Sequence, residues 1–166
     1  MADSILDQDD TYSTLDPEGL LARIDALPEQ IAEAYAVGLA FGGGLSQRFR
    51  ESERVIITGM GGSGIGGALL RGWAIDAGAR TPIEIVRGYG MPKYADSRTL
   101  VIASSNSGNT EETVAAFGEA LAARANCIAV ATGGALLEAA RASGAEALTF
   151  GWDGEPRSAL GWSFAG

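Results

Sequence analysis

The stretch VIITGMGGSGIGG, Val55–Gly67, decides the fold expected for this chain. Four apolar or β-branched residues run into a turn of glycine and serine, and an apolar segment follows. This order is typical of a buried strand, a tight turn and the beginning of a helix. Glycine permits positive φ and lets a ligand approach the main chain. Because the first amides of a helix are unpaired and its dipole is positive there, the turn predicts an anion site, above all for phosphate.

A second stretch repeats this pattern. The apolar run Leu100–Ala103 leads into SSNSGNTEET, Ser104–Thr113, and a helical pattern follows. Three hydroxyl side chains, those of Ser105, Ser107 and Thr110, flank one glycine there. Hydroxyls and helix-start amides both donate hydrogen bonds to phosphate oxygens. Two such turns in one small domain indicate an anion site more strongly than either turn alone.

Length and charge restrict the class of protein. The chain has 166 residues, of which 46% are hydrophobic, enough for one domain with a core. Its net charge of −9 argues against a nucleic-acid or anionic-membrane partner. Residues 1–33 hold nine acids and one arginine, whereas residues 45–98 hold eight bases and five acids. The region around the glycine turn is therefore locally basic, which suits an anionic small molecule.

The absence of histidine and the presence of a single cysteine exclude several kinds of catalytic site, metal site and cross-link within the chain. The chain has no histidine, which excludes histidine acid–base catalysis and histidine metal sites within it. Its single cysteine, Cys127, lies in an apolar run and is expected to be a buried hydrophobic residue; a disulfide within the chain is impossible. We expect a cytoplasmic protein, because the chain shows no signal peptide and no apolar run near the roughly 18 residues that span a bilayer.

The first 44 residues are expected to have a structural role, with no catalytic residues. Residues 1–13 are acidic and without periodicity, so we expect disorder there, and residues 14–44 are expected to form helices. Asp16-Pro17-Glu18 predicts an N-cap followed by a first helical turn. A second helix is expected from Pro28, with Ile31, Tyr35 and Leu39 on one face.

Residues 45–152 alternate apolar strands with helices, which predicts a three-layer α/β/α sandwich with a five-stranded parallel sheet, doubly wound and flavodoxin-like. Ligands of such sheets bind beyond the carboxyl ends of the strands, where both turns are expected. The predicted helices are Ser63–Ala77, one after Asn109, and Ala135–Ser143. The predicted strands are Val55–Thr58, Pro82–Gly88, Leu100–Ala103, Cys127–Thr132 and Ala147–Phe150.

The final segment, residues 153–166, does not resemble the end of a domain. Trp152, Leu160, Trp162 and Phe164 are large apolar residues with little chain left to bury them. Unless they pack on the sheet or a partner, they form an exposed patch. The expectation is a segment that leads to a missing second domain.

The two turns together resemble a sugar isomerase (SIS) domain. The motifs are GMGGSGIGG, Gly59–Gly67, and SNSGNTEET, Ser105–Thr113. Within that superfamily the chain is most similar to the N-terminal half of the bifunctional phosphoglucose/phosphomannose isomerase family, as LPEQI, Leu27–Ile31, and EPRSALGWSF, Glu155–Phe164, also indicate. The resemblance covers roughly residues 20 to 166.

The resemblance implies roles for six residues. Arg157 would face the reacting end of the substrate, and metal or organic cofactors are not expected. The residues implied in binding the sugar phosphate are Gly62, Ser63, Ser105, Ser107 and Thr110.

Two departures from the family pattern limit what can be carried over. Asn106 stands where the family often has tyrosine, so its role is open. The family's glutamate base, ring-opening histidine and a further lysine come from a second domain of the same kind, and their positions do not exist in this chain. The resemblance also implies dimers, so we expect a homodimer or pairing with a second SIS domain.

Other interpretations remain for single features. Gly59, Gly61 and Gly64 fit the dinucleotide pattern G-x-G-x-x-G, but Glu84 lies within the second strand, not at its end. Glu111 and Glu112 are candidates for a general base, although acids are also favoured in the first turn of a helix by its dipole.

Arg157 also has an alternative interpretation. It could form a surface salt bridge with Asp153 or Glu155 in place of a role in catalysis. On the resemblance it would instead stabilise a developing oxyanion, for which arginine is suited.

Two hypotheses on function follow. The first is a sugar-phosphate-binding domain of an aldose–ketose isomerase, an intramolecular oxidoreductase that converts glucose 6-phosphate or mannose 6-phosphate to fructose 6-phosphate. On this hypothesis the present chain lacks the catalytic second half and is inactive alone. The second is a non-catalytic regulatory module that binds a phosphosugar. The sequence predicts no preference between the glucose and the mannose substrate.

Overall fold

A parallel sheet of five strands in the order β2-β1-β3-β4-β5 organises the chain. The structure is a computed structural model, and it describes residues 9–166. The strands are β1 Arg54–Thr58, β2 Ile83–Val86, β3 Thr99–Ser105, β4 Asn126–Ala131 and β5 Glu146–Thr149. The helices are α1 Asp9–Leu15, α2 Leu20–Asp25, α3 Leu27–Gly44, α4 Gln47–Arg50, α5 Gly61–Asp76, α6 Glu111–Ala122, α7 Gly134–Ser143 and α8 Leu160–Ala165.

Helices cover both faces of the sheet, so the predicted three-layer sandwich is confirmed. Alternate residues of β4 divide between the two cores, as the period-two geometry of a strand requires. Cys127 and Ala129 pack with Phe117 of α6 on one face. Ile128 and Val130 belong to the core on the other face, beneath α3 and α8. The strands are therefore apolar on both sides, which is why their sequences read as continuous apolar runs.

Successive strands are added to the sheet on opposite sides of β1: β2 on one side, and β3 and the later strands on the other. β1 pairs with β2 on one side and β3 on the other, whereas the following strands extend away from β3. In parallel α/β sheets such a reversal of strand order opens a crevice at the carboxyl ends of the two strands. The glycine turn follows β1 and the hydroxyl-rich turn follows β3, so both turns lie at this crevice.

The N-terminal region differs from the sequence prediction. Residues 9–13 were expected to be disordered but lie in α1, and residues 1–8 are outside the described part of the chain. The Asp16 carboxylate accepts hydrogen bonds from the amides of Leu20 and Leu21, which lower its pKa. Asp16 therefore satisfies the first two amides of α2, but the N-cap is Gly19 and the helix begins at Leu20, later than the predicted start after Asp16.

The face of α3 that packs against the sheet is not the predicted one. Tyr35 and Leu39 are exposed, whereas Gln30 and Ala34 are buried. Gln30 is buried because its amide bonds two main-chain groups near the C-terminus: Nε2 donates to the Ser158 carbonyl at 2.9 Å and Oε1 accepts from the Gly161 amide at 2.6 Å. The inner face of α3 thus combines Gln30 with the apolar residues Ala34, Val37 and Phe41, whereas Tyr35 and Leu39 of the predicted stripe face solvent.

The C-terminal segment folds onto the sheet. A 3₁₀ turn, Pro156–Ser158, precedes α8, which packs against both α3 and α5. Trp162 is buried and its indole ring stacks on Phe150, with ring centroids 5.1 Å apart. Trp152 and Trp162 therefore contribute to the core beneath α3 and α8, and the expected exposed patch is not formed by these two residues.

The predicted strands and long helices are present, with ends displaced by up to a few residues. Cys127 is buried, as predicted, and burial raises the pKa of its thiol to about 11. Across residues 9–166, no helix is both long and apolar enough to cross a membrane.

Candidate functional site

The glycine turn presents unpaired amides at the beginning of α5. The helix begins at Gly61, whose φ is 51°, and its first backbone hydrogen bond runs from the Gly64 amide to the Met60 carbonyl at 3.2 Å. Within the described residues, the amides of Gly61, Gly62 and Ser63 have no hydrogen-bond partner. Ser63 is buried, and its hydroxyl also has no partner there. These four donors are available to an anion.

Glycine is required at two positions of this turn by close packing. A Cβ on Gly59 would lie 2.8 Å from the Ser104 carbonyl oxygen and 3.1 Å from the Ser63 Cβ. A Cβ on Gly64 would lie 2.7 Å from the Gly59 carbonyl oxygen. Both distances are below ordinary contact, so the turn closes only with glycine at these positions. Because Gly59 has no side chain, Ser63 of the first turn and Ser104 at the end of β3 both pack closely against it, so the two turns lie next to each other.

The second turn is ordered by its own hydroxyls. The Ser105 and Thr110 hydroxyls are 2.9 Å apart, and the Ser105 Oγ also accepts the Gly108 amide at 3.1 Å. The Ser107 Oγ accepts the Asn109 amide at 3.2 Å and is exposed. The turn therefore holds three hydroxyls at the beginning of α6.

The first turn of α6 offers the same kind of donors as α5. Its first backbone hydrogen bond runs from the Val114 amide to the Thr110 carbonyl at 3.0 Å. In the part of the chain that the structure describes, the amides of residues 111–113 have no partner. Two helix starts with unpaired amides thus flank one crevice, an arrangement suited to an anion.

Contacts with the next strand–helix connection hold the second turn in place. The Asn109 Oδ1 accepts the Ala135 amide at 3.0 Å, and the Gly108 carbonyl accepts the Leu136 amide at 2.9 Å. These acceptors satisfy the first amides of α7. A Cβ on Gly108, whose φ is 69°, would overlap the Gly133 carbonyl. The beginning of α7 is consequently occupied by protein and does not form a third anion site.

Arg157 lies beside the glycine turn. A Cβ on Gly62 would be 3.2 Å from the Pro156 carbonyl oxygen and 3.5 Å from the Arg157 Cα, so the 3₁₀ turn packs directly on the beginning of α5. The Arg157 side chain is 68% exposed and its Nη2 is 3.7 Å from Glu155 Oε1. The alternative of a surface ion pair is thus present with Glu155, as a long contact that leaves the guanidinium largely in solvent.

Glu155 is fixed by more than Arg157. Its carboxylate is 2.6 Å from Arg23 Nη1 and accepts the Ser158 hydroxyl at 3.1 Å. Its own backbone amide, followed by Ser158 and Arg23, lowers the pKa of the Glu155 carboxyl. The 3₁₀ turn that carries Arg157 is therefore attached to α2 through Arg23.

The acids at the site are those of the first turn of α6. Glu111 is exposed, and its Oε2 accepts the Tyr89 hydroxyl at 3.4 Å. The charges of Glu112 and then Glu111 raise the pKa of Tyr89. Both carboxylates thus lie near Tyr89, in the first turn of α6. Glu84 lies inside β2, two residues before its end, where it does not meet the geometry of a ribose-binding acid.

The sequence left the roles of two asparagines of the second turn undefined. Asn109 holds the second turn against α7, and its contact pairs residues 26 positions apart. Asn106 has a buried side-chain Oδ1 without a hydrogen-bond partner in the described structure, while its main-chain oxygen accepts the Thr132 amide and hydroxyl. The residue type alone gives no signal for either role.

Comparison with known proteins confirms the resemblance to sugar isomerases. The chain is 46% identical over 138 residues to a bifunctional phosphoglucose/phosphomannose isomerase of Caldicellulosiruptor bescii, an alignment that covers 83% of this chain and 40% of the relative. A protein of the same description from Thermoplasma volcanium is 36% identical over 110 residues, 66% of this chain and 34% of that protein. The chain therefore spans less than half the length of these homologues. No protein-family model matches it.

A solved structure supports the fold independently. The tagatose-6-phosphate ketose/aldose isomerase of Escherichia coli superimposes with a TM-score of 0.64 at 21% identity, over 87% of this chain and 45% of that one. The likeness at this identity concerns the fold, and it confirms the SIS-like α/β architecture.

Proposed function

We propose that this chain binds the phosphate group of a sugar phosphate between the glycine turn and the hydroxyl-rich turn, as a domain of an aldose–ketose isomerase. The reaction would interconvert glucose 6-phosphate or mannose 6-phosphate with fructose 6-phosphate. The observation that carries the proposal is the pair of helix starts at one crevice, α5 and α6, each with three unpaired amides. The 46% identity to a bifunctional phosphoglucose/phosphomannose isomerase supports the substrate class.

The proposed phosphate ligands combine main-chain and side-chain donors. Gly62 and Ser63 donate from the start of α5, and the Ser105, Ser107 and Thr110 hydroxyls donate from the second turn. Phosphate oxygens accept several hydrogen bonds each, so a cluster of this size suits one phosphate group. Neither turn needs a metal or an organic cofactor to present these donors.

Arg157 is proposed to act at the reacting end of the sugar. Its Cα packs against Gly62, and its exposed guanidinium reaches solvent beside the crevice. Isomerisation passes through an enediol, whose developing negative charge an arginine stabilises. The Arg157→Ala variant is expected to keep the phosphate contacts, so the chain alone should bind inorganic phosphate in calorimetry with unchanged affinity.

The test of the phosphate site is the double variant Ser63→Ala, Ser107→Ala. Hydrogen bonds to a charged group contribute about 1.5–3 kcal/mol each, so titration calorimetry with fructose 6-phosphate should show an affinity loss of at least tenfold. Ser143→Ala is the matched control, because Ser143 lies at the far end of α7 and bonds only main-chain carbonyls. Unchanged affinity in the double variant would contradict the assignment.

A second candidate function is a non-catalytic module that binds a phosphosugar. The observation that favours it is the inventory of proton-transfer groups: the chain has no histidine, and the acids closest to the site, Glu111 and Glu112, begin α6. The two candidates share the phosphate site and differ in turnover.

We propose further that the domain pairs with a second SIS domain or a second copy of itself. Large apolar side chains on the outer faces of α3 and α5 support this, because Tyr35, Leu39 and Trp73 are exposed.

The sugar phosphate is proposed as the ligand, with no nucleic-acid or membrane partner, in agreement with the net charge of −9. A cytoplasmic location is proposed on the single cysteine, which has no partner for a disulfide within the chain.

A further inference from the structure

Arg87 lies at the same edge of the sheet as the glycine turn. It directly follows β2, whose last residue, Val86, pairs with Thr58 at the end of β1. The Gly59 amide donates to the Val86 carbonyl at 3.4 Å, so the two strand ends stay together beyond the regular ladder. Arg87 therefore lies beside the first residue of the glycine turn, and it contacts Gly64, which precedes it by 23 positions in the chain.

The Arg87 guanidinium lies against the first turn of α5. Its Nη2 donates to the Gly64 carbonyl at 3.4 Å, and a Cβ on Gly64 would be 3.1 Å from its Nε. Glycine at position 64 thus leaves room for the guanidinium on the helix start. The hydrogen bond is long, so it is weak and leaves the other N–H groups of Arg87 free.

Arg87 differs from several other arginines of the chain in having no acidic partner. Arg23, Arg54 and Arg98 all lie within ion-pair distance of a carboxylate. Arg87 is exposed, and no carboxylate among residues 9–166 lies within that distance of it. Its charge is therefore available to a ligand.

The ligands proposed for the phosphate group include no cationic side chain. A phosphate monoester carries about −1.5 to −2 charges at neutral pH. Its ligands from the two turns are neutral hydroxyls and amides, and Glu111 and Glu112 add negative charge beside them. Arg157 has Glu155 at 3.7 Å. Arg87 is the arginine in contact with the glycine turn that lacks such a neighbour.

We propose that Arg87 is a further substrate-binding residue, which neutralises the phosphate group of the sugar phosphate at the beginning of α5. The proposal rests on the proposed function of the two turns. Arg87 would rotate from its weak contact with the Gly64 carbonyl to donate charge-assisted hydrogen bonds to the phosphate oxygens. Such bonds are roughly twice as strong as neutral ones, so Arg87 would be among the larger contributors to affinity.

The test compares Arg87→Ala with Arg80→Ala in titration calorimetry. Arg80 is an exposed arginine in the connection that follows α5, at the opposite edge of the sheet, and no ion pair is found for it within the described chain. The expected result is a ten- to hundredfold loss of affinity in Arg87→Ala for both fructose 6-phosphate and inorganic phosphate, with Arg80→Ala unchanged. Arg87→Lys, which keeps the charge but not the planar fork, should recover part of the loss.

A second readout separates a phosphate contact from a structural role. Salt screens the attraction between a guanidinium and a phosphate, so the affinity of the unmodified protein should fall as salt rises from roughly 50 to 300 mM. The fall should be shallower in Arg87→Ala, which lacks this charge. Circular dichroism and thermal unfolding check that the variants are folded. If Arg87→Ala is not folded, Arg87→Lys and Arg87→Gln carry the comparison.

The possible outcomes distinguish this proposal from the one it rests on. If the Ser63→Ala, Ser107→Ala variant loses binding while Arg87→Ala binds normally, the phosphate site stands and the role of Arg87 is wrong. A loss confined to fructose 6-phosphate, with inorganic phosphate unaffected, would place Arg87 on the sugar and overturn the proposal. If the unmodified chain binds neither probe, both proposals fail.

Discussion

Glycines in the two turns have different physical reasons for being glycine. Gly61 has φ of 51° but open space around its Cα, so a side chain there would be strained without being blocked. Gly64 has an ordinary helical conformation, but a Cβ would lie 2.7 Å from the Gly59 carbonyl oxygen. The requirement for glycine at position 64 is therefore steric, and it comes from the turn closing on itself.

Gly64→Ala is expected to impair binding more than folding. The methyl group must push the Gly59 carbonyl or the Arg87 side chain away, which costs about 1–3 kcal/mol of unfolding free energy as overpacking does. Because the same movement opens the turn, affinity for fructose 6-phosphate should fall at least tenfold in calorimetry. Gly118→Ala, on α6 with nothing within 4 Å of the new Cβ, is the matched control and should bind normally. Normal binding by a folded Gly64→Ala protein would show that the turn is not the cradle.

The site residues divide by how far their partners lie in sequence. The positions of Ser63, Ser105 and Thr110 at the starts of two helices could be predicted, because a strand, a glycine-containing turn and a helix start are local patterns. The contact of Arg87 with Gly64 and that of Asn109 with Ala135 depend on which strands become neighbours. No local pattern contains that information, so neither contact could be predicted from the sequence.

At the scale of elements, α8 is held by one large side chain and several small ones. Trp162 is buried and stacks on Phe150, while Gly66 of α5 leaves no room for a Cβ against Ser163. Close approach of two helices through glycine increases the surface that each buries. The C-terminal helix is therefore an integral part of the core on that face of the sheet.

Trp162→Ala should destabilise the fold strongly. Removing a buried aromatic side chain costs about 3–5 kcal/mol, since a cavity remains where the ring packed. Urea unfolding followed by circular dichroism measures this as a lowered midpoint. Trp73→Ala removes the same side chain type from a position that is 60% exposed on α5, and it should change the midpoint little. Equal effects of the two substitutions would mean that α8 does not pack on the sheet as described.

Strands that are buried on both faces could be predicted from the sequence, whereas the buried face of a helix could not be predicted where it depends on contacts with a distant segment. The strands are buried on both faces, so their apolar runs identified them. On α3 the apolar residues Tyr35 and Leu39 are exposed, and Gln30 turns inward because Ser158 and Gly161 provide its hydrogen bonds. The amphipathic pattern therefore pointed to the wrong face. The short helices α4 and α8 have too few turns for a periodic signal.

At the scale of the whole molecule, charge is distributed unevenly between the termini and the site. The acids are concentrated in residues 1–33, while the segment that carries the glycine turn has a surplus of bases. The Arg87 guanidinium contacts the first turn of α5 from the connection after β2, and Arg157 packs on it from the 3₁₀ turn through its Cα. Arg87 thus brings one positive charge to the glycine turn of an acidic protein, where a sugar phosphate would be attracted.

The chain alone is expected to bind a sugar phosphate but not to isomerise it. Isomerisation requires a group that opens the pyranose ring and a base beside C2. The chain has no histidine, and Glu111 and Glu112, the acids at the crevice, begin the helix whose amides are proposed to bind phosphate. In the proposed binding mode those carboxylates would lie beside the phosphate end of the substrate, away from the carbons that exchange a proton. Positioning through the phosphate does not accelerate the reaction unless a group is present to move the proton.

A coupled assay measures this directly. Protein purified free of host isomerase should form no fructose 6-phosphate from glucose 6-phosphate or mannose 6-phosphate above the level of the Ser63→Ala, Ser107→Ala variant. Calorimetry on the same sample must show binding, so that the absence of turnover reflects chemistry and not an empty site. Turnover that disappears in Glu111→Gln or Glu112→Gln would contradict the prediction, because it would place the base in the first turn of α6 and make this single α/β unit sufficient for the reaction.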